Sequence, residues 1–312
     1  MLTISWNYII AFYLFSAGVS AGALIASLAA DFTGDRRYDR IVKIGAYIAP
    51  FPLGLGTAAL IFDLERPLSF WRLFTNFEPG SVMSFGSWIL LLFSLISILI
   101  FFMHIPDRFD FLKIKPWLTS ARLSKGIKAA GLITAFATAT YTGILLSVLA
   151  ARPFWNTPLL PMVFLFSAII DGIAAICIVL NSLSLDSMSN DELASSRHFL
   201  RKIDTAFLAL LFISLTFLFM GFYQSTEHAR GALTVIMGGP LTTMFWVGVI
   251  AIGMVFPLIY CLLEISQSGS GKEAAARKPM LGLLVYSSVL IGGFVLRYVV
   301  VYAGQLTGPI LQ

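Results

Sequence analysis

The sequence predicts an all-α integral membrane protein with eight transmembrane helices. Of the 312 residues, 58% are hydrophobic and 12% are charged, whereas a soluble domain is about 45–50% apolar and about 25% charged. The apolar residues also form long runs without the alternation that is typical of membrane β-strands. A mean hydropathy of +0.88 agrees with lipid as the main solvent of the protein.

Each predicted helix is a run of about 20 mainly apolar residues, the length that crosses the hydrocarbon core of a bilayer. Lipid offers no partners to the backbone, so each run must satisfy its own N–H and C=O groups as a helix. In sequence order, the runs cover residues 6–30, 41–62, 84–104, 129–151, 160–183, 204–223, 242–264 and 280–302. We expect two four-helix bundles, formed by residues 1–151 and 152–312.

The distribution of Lys and Arg predicts which side of the membrane the loops face. An even number of spans puts both termini on one side, and cytoplasmic loops are enriched in basic residues. With the termini outside, sixteen Lys and Arg residues fall in inner loops and four in outer segments, while Arg297 lies within the last span. The sequence therefore predicts extracytoplasmic termini. The net charge of +5 follows from this topology and does not indicate binding to nucleic acid.

The stretch "FDLERPLSFW", residues 62–71, gathers charge, a helix stop and aromatic residues at the predicted outer end of span 2. Pro67 ends or turns the helix, and the aromatic residues suit the membrane surface. Asp63 and Glu65 could accept protons there, and Arg66 would keep at least one carboxylate ionised. The alternative is a solvated ion pair at the rim without a chemical role.

Three polar residues interrupt the apolar runs. Asp171 lies near the middle of span 5, Arg297 near the outer end of span 8, and Tyr141 within span 4. Ionisable residues at membrane depth are functional candidates. For Asp171 and Arg297 two alternatives stand, a proton path or a structural ion pair. Tyr141 either has a functional hydrogen bond or bonds a neighbouring carbonyl.

Other polar residues have simpler interpretations. His104, Asp204 and Glu264 lie at inner ends of spans, where side chains are expected to snorkel to the membrane surface. Cys177 and Cys261 are expected to act as small hydrophobic side chains. The three histidines do not occupy facing span interiors, so the sequence supports no bis-histidine haem, and we expect no haem or metal in this protein.

Five segments together resemble the NrfD family, the membrane subunits of polysulfide reductase and of cytochrome-linked nitrite reductase. They read "WNYIIAFYLFSAGVSAG", "LIFDLERPLSFWRLFTNFEPGSVMSFGSW", "TYTGILLS", "RPFWNTPLLPMVFLFSA" and "LRYVVVYAGQLT". The resemblance extends over nearly the whole sequence. It implies a multi-pass subunit of the bacterial inner membrane that exchanges electrons between a membrane quinone and an extracytoplasmic ferredoxin-type iron–sulfur subunit. That subunit would pass electrons to or from a catalytic subunit, either a molybdopterin enzyme or a multihaem cytochrome.

The resemblance also implies a site for menaquinone or ubiquinone in the first four helices, near the outer face. Tyr141 falls at the family's span-4 tyrosine, which donates a hydrogen bond to a quinone oxygen. Asn7 and Tyr13 are the candidates on span 1, and Arg66 is the candidate after span 2. Asp63 stands where some relatives have His, and either group can accept a proton released by quinol.

Two other functions are alternatives. A secondary transporter would use broken helices at mid-membrane, and the glycine-rich stretch of span 2 and the sequence "MGGP" fit that alternative. The other is a passive membrane anchor whose pocket is inactive. Co-purified iron–sulfur and catalytic subunits would argue against the transporter, and bound quinone would argue against the passive anchor.

The bias of basic residues predicts the orientation of the protein in the membrane. A reporter fused after Gln312 should be active on the extracytoplasmic side, and a reporter inserted at Lys125 should be active in the cytoplasm. The measurement compares phosphatase and fluorescent-protein fusions in intact cells. A cytoplasmic C-terminal reporter would reverse the assignment of every loop.

Overall fold

The structure is a computed structural model, which describes residues 6–63, 67, 70–75, 78, 80–110, 113–183, 190–225, 227–268 and 279–307. Within these ranges the regular structure is helical and no strand occurs. Eight helices are long and apolar enough to cross a membrane, which confirms the predicted fold class. In sequence order these spans 1 to 8 are Tyr8–Phe32, Arg36–Phe62, Val82–His104, Ala121–Ser147, Leu160–Ser182, Glu192–Gln224, Met244–Glu264 and Met280–Leu306.

Two of the spans change helix type or break along their length. Span 2 contains the helices Asp39–Ile48 and Pro50–Asp63, which separate where Pro50 lacks a backbone N–H. Span 7 begins as the π-helix Met244–Val255 and continues as the α-helix Phe256–Ser268. Pro257, the second residue of that α-helix, has no backbone N–H to donate to the preceding turn, which accounts for the change of helix type at this point. The short helix Arg36–Tyr38 forms the start of span 2, and shorter helices in the loops are Arg72–Thr75, Asp107–Phe109, Lys115–Leu118 and Glu227–Met237.

Several helices extend beyond the apolar runs that predicted them. The span 4 helix begins at Ala121, where the sequence predicted residue 129, and the span 6 helix begins at Asn190, where it predicted residue 204. The prediction counted apolar residues, whereas polar residues can continue a helix past the hydrocarbon. These polar residues can form ion pairs beyond the hydrocarbon. Nζ of Lys128, for example, lies 2.7 Å from Oδ2 of Asp31 on span 1.

Spans 1 and 5 lie at the centre of the molecule. Span 1 packs against spans 2, 4, 5 and 8, and span 5 packs against spans 1, 4, 6 and 8. Spans 1 to 4 contact one another in a closed order, and spans 5 to 8 repeat the same order. These contacts are compatible with two four-helix groups that meet along spans 1 and 5. The division at residue 151 stays a prediction.

Small residues allow spans 1 and 5 to approach closely. Gly22 lies against the backbone of Ala168, and Gly172 lies against the backbone of Gly22 and Ala23, so that a Cβ atom at either glycine would overlap these atoms. Close packing of this kind stabilises helix pairs where lipid supplies no hydrophobic driving force. In the most apolar window, 78% of the span 1 residues are buried against 22% for span 3, so span 1 forms the core and span 3 faces lipid.

The described ends of the protein lie side by side. The backbone N–H of Trp6 donates to Oε1 of Gln305 at 2.8 Å, and Nε2 of Gln305 donates to the Trp6 carbonyl at 3.0 Å. Trp6 also packs on Trp155, with 5.0 Å between ring centroids. Both ends therefore lie on one side of the helices, which we call the terminal side. The membrane face to which this side corresponds stays a prediction.

Gly172→Ala should destabilise the protein, because its methyl group would overlap the span 1 backbone and overpacking costs about 1–3 kcal/mol. Gly221→Ala is the matched control, since a Cβ at this span 6 position meets no neighbouring atom within 4 Å. The measurement is the thermal unfolding midpoint of the purified protein in detergent. We expect a lower midpoint for Gly172→Ala alone, and equal midpoints would contradict the close contact.

Candidate functional site

A groove of about 550 Å³ opens between spans 3 and 4 near the terminal side. Phe85, Phe136 and Ile144 line it and are exposed on the outer surface of the helices, so the groove is accessible from lipid. Tyr141 lies on its inner wall and is 5% exposed. The other lining residues are Gly80, Ser81, Val82, Ile89, Ala137 and Thr140.

Tyr141 is held in place by span 3. Gly86 lies so near the phenol that a Cβ atom at this position would overlap the ring and its hydroxyl. The Tyr141 hydroxyl forms no hydrogen bond with any residue that the structure describes. A tyrosine hydroxyl is both a donor and an acceptor, so this side chain offers a ligand in the groove a hydrogen-bonding group that the described protein groups leave available.

Of the two candidates on span 1, the structure brings one to Tyr141. Tyr13 is buried and lies close enough to Tyr141 for the two phenols to interact electrostatically. Gly56 of span 2 backs it, with 3.3 Å between a Cβ placed at Gly56 and the Tyr13 Cα. Asn7 is exposed at the start of span 1, about 9 Å along the helix from Tyr13, and does not line the groove.

The charged residues that follow span 2 fall at the edge of the described structure. Asp63 is the last residue of the span 2 helix, which ends on the terminal side, as the groove does. The side chain of Asp63, and Glu65 and Arg66 entirely, lie outside the described residues. Their roles in accepting protons and in binding a ligand stay predictions.

A second polar centre lies where spans 1, 5 and 8 meet. Nη1 of Arg297 donates to Oδ2 of Asp171 at 2.8 Å and to Oγ of Ser167 at 3.0 Å. Nε of Arg297 donates to the Leu14 carbonyl at 3.2 Å. Both side chains of the ion pair are 2% exposed or less. The charges are therefore solvated by protein groups, as ions inside a membrane require.

Glycines and aromatic rings make room for this pair. A Cβ at Gly18 would overlap the Arg297 guanidinium, and a Cβ at Gly293 would overlap the Asp171 carboxylate. The guanidinium lies 5.6 Å from the ring centroids of two phenylalanines on spans 1 and 5, a favourable cation–π distance. The structure thus contains the ion pair that the sequence suggested. Its role stays a prediction.

A third polar cluster, which sequence reasoning missed, lies in spans 5 to 8 toward the side opposite to the termini. Asp204 of span 6 is 1% exposed and accepts a hydrogen bond from Sγ of Cys261 at 3.6 Å. Cys177 and Tyr286 lie beside them, close enough to interact electrostatically with Asp204. The prediction that Asp204 snorkels to the surface is wrong, because side chains from spans 5, 7 and 8 surround it.

Glu264 also differs from its predicted position. It forms an ion pair with Arg201, whose side chain is 2% exposed, and so it does not act as an isolated interfacial side chain. The sequence contained a signal for this cluster, because Arg201 and Asp204 lie one helical turn apart and face the same neighbours. His104 is partly buried near the end of span 3, where its Nδ1 lies 2.9 Å from the Ile100 carbonyl.

The donor atoms of the described ranges do not form a metal site. No group of three or more His, Cys, Asp or Glu residues in these ranges could hold a metal ion. Cys177 and Cys261 are buried free thiols. The three polar centres therefore offer hydrogen bonds and proton-binding groups.

Comparison with known proteins gives an independent view of this sequence. A family model described as "Polysulphide reductase, NrfD" matches residues 2–309. The protein is 32% identical to the C subunit of polysulfide reductase from Wolinella succinogenes, over 97% of this sequence and 95% of that protein. It is 30% identical to protein NrfD of Escherichia coli, again over 97% and 95%. It is 27% identical to the C subunit of selenate reductase from Mesobacillus selenatarsenatis, over 95% and 73%.

The buried ion pair predicts a coupled effect on stability. Asp171→Asn and Arg297→Gln should each lower the yield of folded protein, because breaking a buried pair costs about 3–5 kcal/mol. The double variant should lose less than the two single losses together, since neither charge is then left unpaired. The measurement is the fraction of monodisperse protein after heating in detergent. Strictly additive losses would mean that the two side chains do not act as a pair.

Proposed function

Because the chain belongs to the polysulphide reductase NrfD family, we propose that it is the quinone-reactive membrane subunit of a respiratory oxidoreductase complex in the bacterial inner membrane. The family relationship and the eight apolar helices support a membrane-subunit role. The observation that carries the quinone assignment is the lipid-facing groove, with a Tyr141 hydroxyl on its wall that forms no hydrogen bond to the described residues.

The groove fits the head group of menaquinone or ubiquinone. Its volume of about 550 Å³ lies within the ~300–1,000 Å³ of typical small-molecule sites. Phe85, Ile89 and Phe136 provide apolar walls, which suit a planar ring and an isoprenoid tail that arrives from lipid. When bound, a quinone supplies two-electron, two-proton chemistry.

The residues of this protein would orient the ring and accept protons. Tyr141 would donate its hydroxyl to a ring oxygen, and Tyr13 would support the phenol from behind. Asp63 ends the span 2 helix on the terminal side. We expect Asp63 and Glu65 to accept protons released toward water, with Arg66 keeping a carboxylate ionised. Tyr141 lies six residues before the end of the span 4 helix at Ser147, about 9 Å along its axis. This depth keeps the ring near the terminal side.

Electron exchange also needs a partner on that side, and exposed groups there offer a docking surface. Arg72 lies 5.8 Å from the Trp71 ring centroid, and Trp71 is 52% exposed. Nε of Arg230 donates to the Tyr223 carbonyl at 2.7 Å, and both residues are exposed. Arg, Trp and Tyr are favoured in protein interfaces. We expect residues 66–83 and 224–241 to contact the ferredoxin-type iron–sulfur subunit, which would connect to the molybdopterin or multihaem catalytic subunit.

Tyr141→Phe tests the proposed site. The change removes a donor and keeps the ring, and losing one buried hydrogen bond costs about 1–3 kcal/mol. Quinol-dependent electron transfer in membranes should therefore fall several-fold, while the complex still assembles and still reacts with artificial dyes. The measurement is the ratio of quinol-linked to dye-linked activity.

Tyr8→Phe is the matched control, since this exposed tyrosine lies at the start of span 1 on the same side and does not line the groove. Gly86→Ala is a second variant, whose methyl group would displace the Tyr141 ring and lower the same ratio. Wild-type ratios in both groove variants would contradict the site. A transporter or a passive anchor would show no quinol-linked activity in the wild-type complex.

A further inference from the structure

Spans 5 to 8 contain buried polar groups that the proposed quinone site does not use. One set is the Asp171–Arg297 pair, and the other is the cluster around Asp204. Oδ1 of Asp204 and Nη2 of Arg297 are buried and have no hydrogen-bond partner among the described residues. Leaving such atoms unsatisfied costs about 1–3 kcal/mol each, so their burial points to bound water or to a function.

A small cavity adjoins the ion pair. Its volume is about 10 Å³, close to the space that one water molecule needs. Ser167 and Asp171 supply polar atoms to its wall, while Leu211, Met254 and Gly292 of spans 6, 7 and 8 close it. A water molecule in this cavity would therefore contact the Asp171 carboxylate at the centre of spans 5 to 8.

Polar groups continue from this cavity toward Asp204. The two carboxylates lie close enough for the charge of Asp171 to act on Asp204. Oγ1 of Thr205 is buried without a partner in the described ranges, and Ser288 of span 8, next to the cavity residue Val289, is buried. Asp204 and the cavity residue Leu211 are seven residues apart on span 6, about 10 Å. About three hydrogen-bonded waters would cover that distance.

The cluster around Asp204 reaches the surface through an ion pair. Cys261, which bonds Asp204, lies one helical turn from Glu264 on span 7. Glu264 pairs with the buried Arg201, and its own side chain is 16% exposed. A carboxylate with partial access to water, one turn from the thiol that bonds the buried Asp204, can exchange protons with the solvent on the side opposite to the termini.

We propose that spans 5 to 8 hold a proton path from Glu264, through Asp204 and bound water, to Asp171. Each step moves one proton between oxygen atoms and transfers no electrons. A proton taken up by Glu264 passes to Asp204 and then to Asp171, which gives up its ion pair with Arg297 when it becomes neutral. With the predicted topology the path takes up protons from the cytoplasm. Its driving force rests on the proposed quinone reaction.

Hydration of the path can be tested without any redox activity. In hydroxyl-radical footprinting by X-ray pulses, water inside a protein oxidises the side chains beside it. Met254 lines the cavity and Cys261 bonds Asp204, yet they are 4% and 0% exposed. Met103 of span 3 is 5% exposed and serves as the matched control. Oxidation of Met254 and Cys261 several-fold faster than Met103 supports the path, and equal rates for Met254 and Met103 overturn it.

Proton transfer is tested in sealed vesicles that contain the whole complex. Asp204→Asn keeps an acceptor oxygen for Cys261 but cannot carry the proton, so uptake per electron from the side opposite to the termini should fall several-fold. Asp204→Glu should restore it. Glu264→Gln provides a second variant with partial exposure. Asp31→Asn is the matched control, because it removes the carboxylate of an ion pair with Lys128 at the same side in spans 1 and 4.

The outcomes separate this proposal from the proposed function. Unchanged proton uptake per electron in Asp204→Asn, or no uptake from that side in the wild-type complex, overturns the path while electron transfer continues. Absence of quinol oxidation in the wild-type complex overturns the proposed function, and the footprinting result then decides the path by itself. Loss of uptake in Asp31→Asn to the same degree as in Asp204→Asn would also overturn the path.

Discussion

The buried ion pair between Asp171 and Arg297 is the interaction on which the packing of the central helices depends. An unpaired charge at this depth is costly, so each ion needs partners at defined positions. Arg297 finds them on spans 5, 8 and 1, including the carbonyls of Gly293 and Leu14. Spans 5 and 8 therefore cannot rotate independently of span 1 without leaving a buried group unpaired.

The same pair determines where small and large residues lie. Room for the guanidinium and carboxylate groups exists because Gly18 and Gly293 carry no Cβ atom, and the contact of Gly22 with Gly172 continues the close approach along spans 1 and 5. Spans 3, 6 and 7 lie at the periphery, since only 22%, 33% and 28% of their most apolar windows are buried. A lipid-accessible groove can form at that periphery, between spans 3 and 4, because the dense packing at the centre does not extend to it.

The sequence predicted the eight spans well because a run of about 20 apolar residues matches the thickness of the hydrocarbon core and is uncommon outside membrane helices. The break at Pro50 and the π-helix before Phe256 could not be predicted in the same way. A proline in a membrane helix can be accommodated by a kink, a break or a change of helix type, depending on which neighbours bond the freed backbone groups. Tyr141 stood out as a polar residue within an apolar run and a family resemblance suggested its role, but its contact with Gly86 depends on how spans 3 and 4 pack. Asp204 was misjudged for a related reason. Distance from a helix end indicates snorkelling, but neighbouring spans decide whether a side chain is able to reach water.

Span 1 is the element through which the two polar regions can influence each other. Tyr13 lies close enough to Tyr141 for the two phenols to interact electrostatically, and the carbonyl of the next residue, Leu14, accepts a hydrogen bond from Arg297. Span 1 itself has little freedom to move, because its glycines touch the span 5 backbone. Coupling between the proposed quinone site and the proposed proton path would therefore use rearranged side chains and hydrogen bonds around a fixed helix. Coupling requires that occupancy at one site change the free energy of the other. Neutralisation of Asp171 in the proposed path would meet this condition, since it would free Arg297 to strengthen its bond to Leu14, one residue from Tyr13, which interacts with Tyr141.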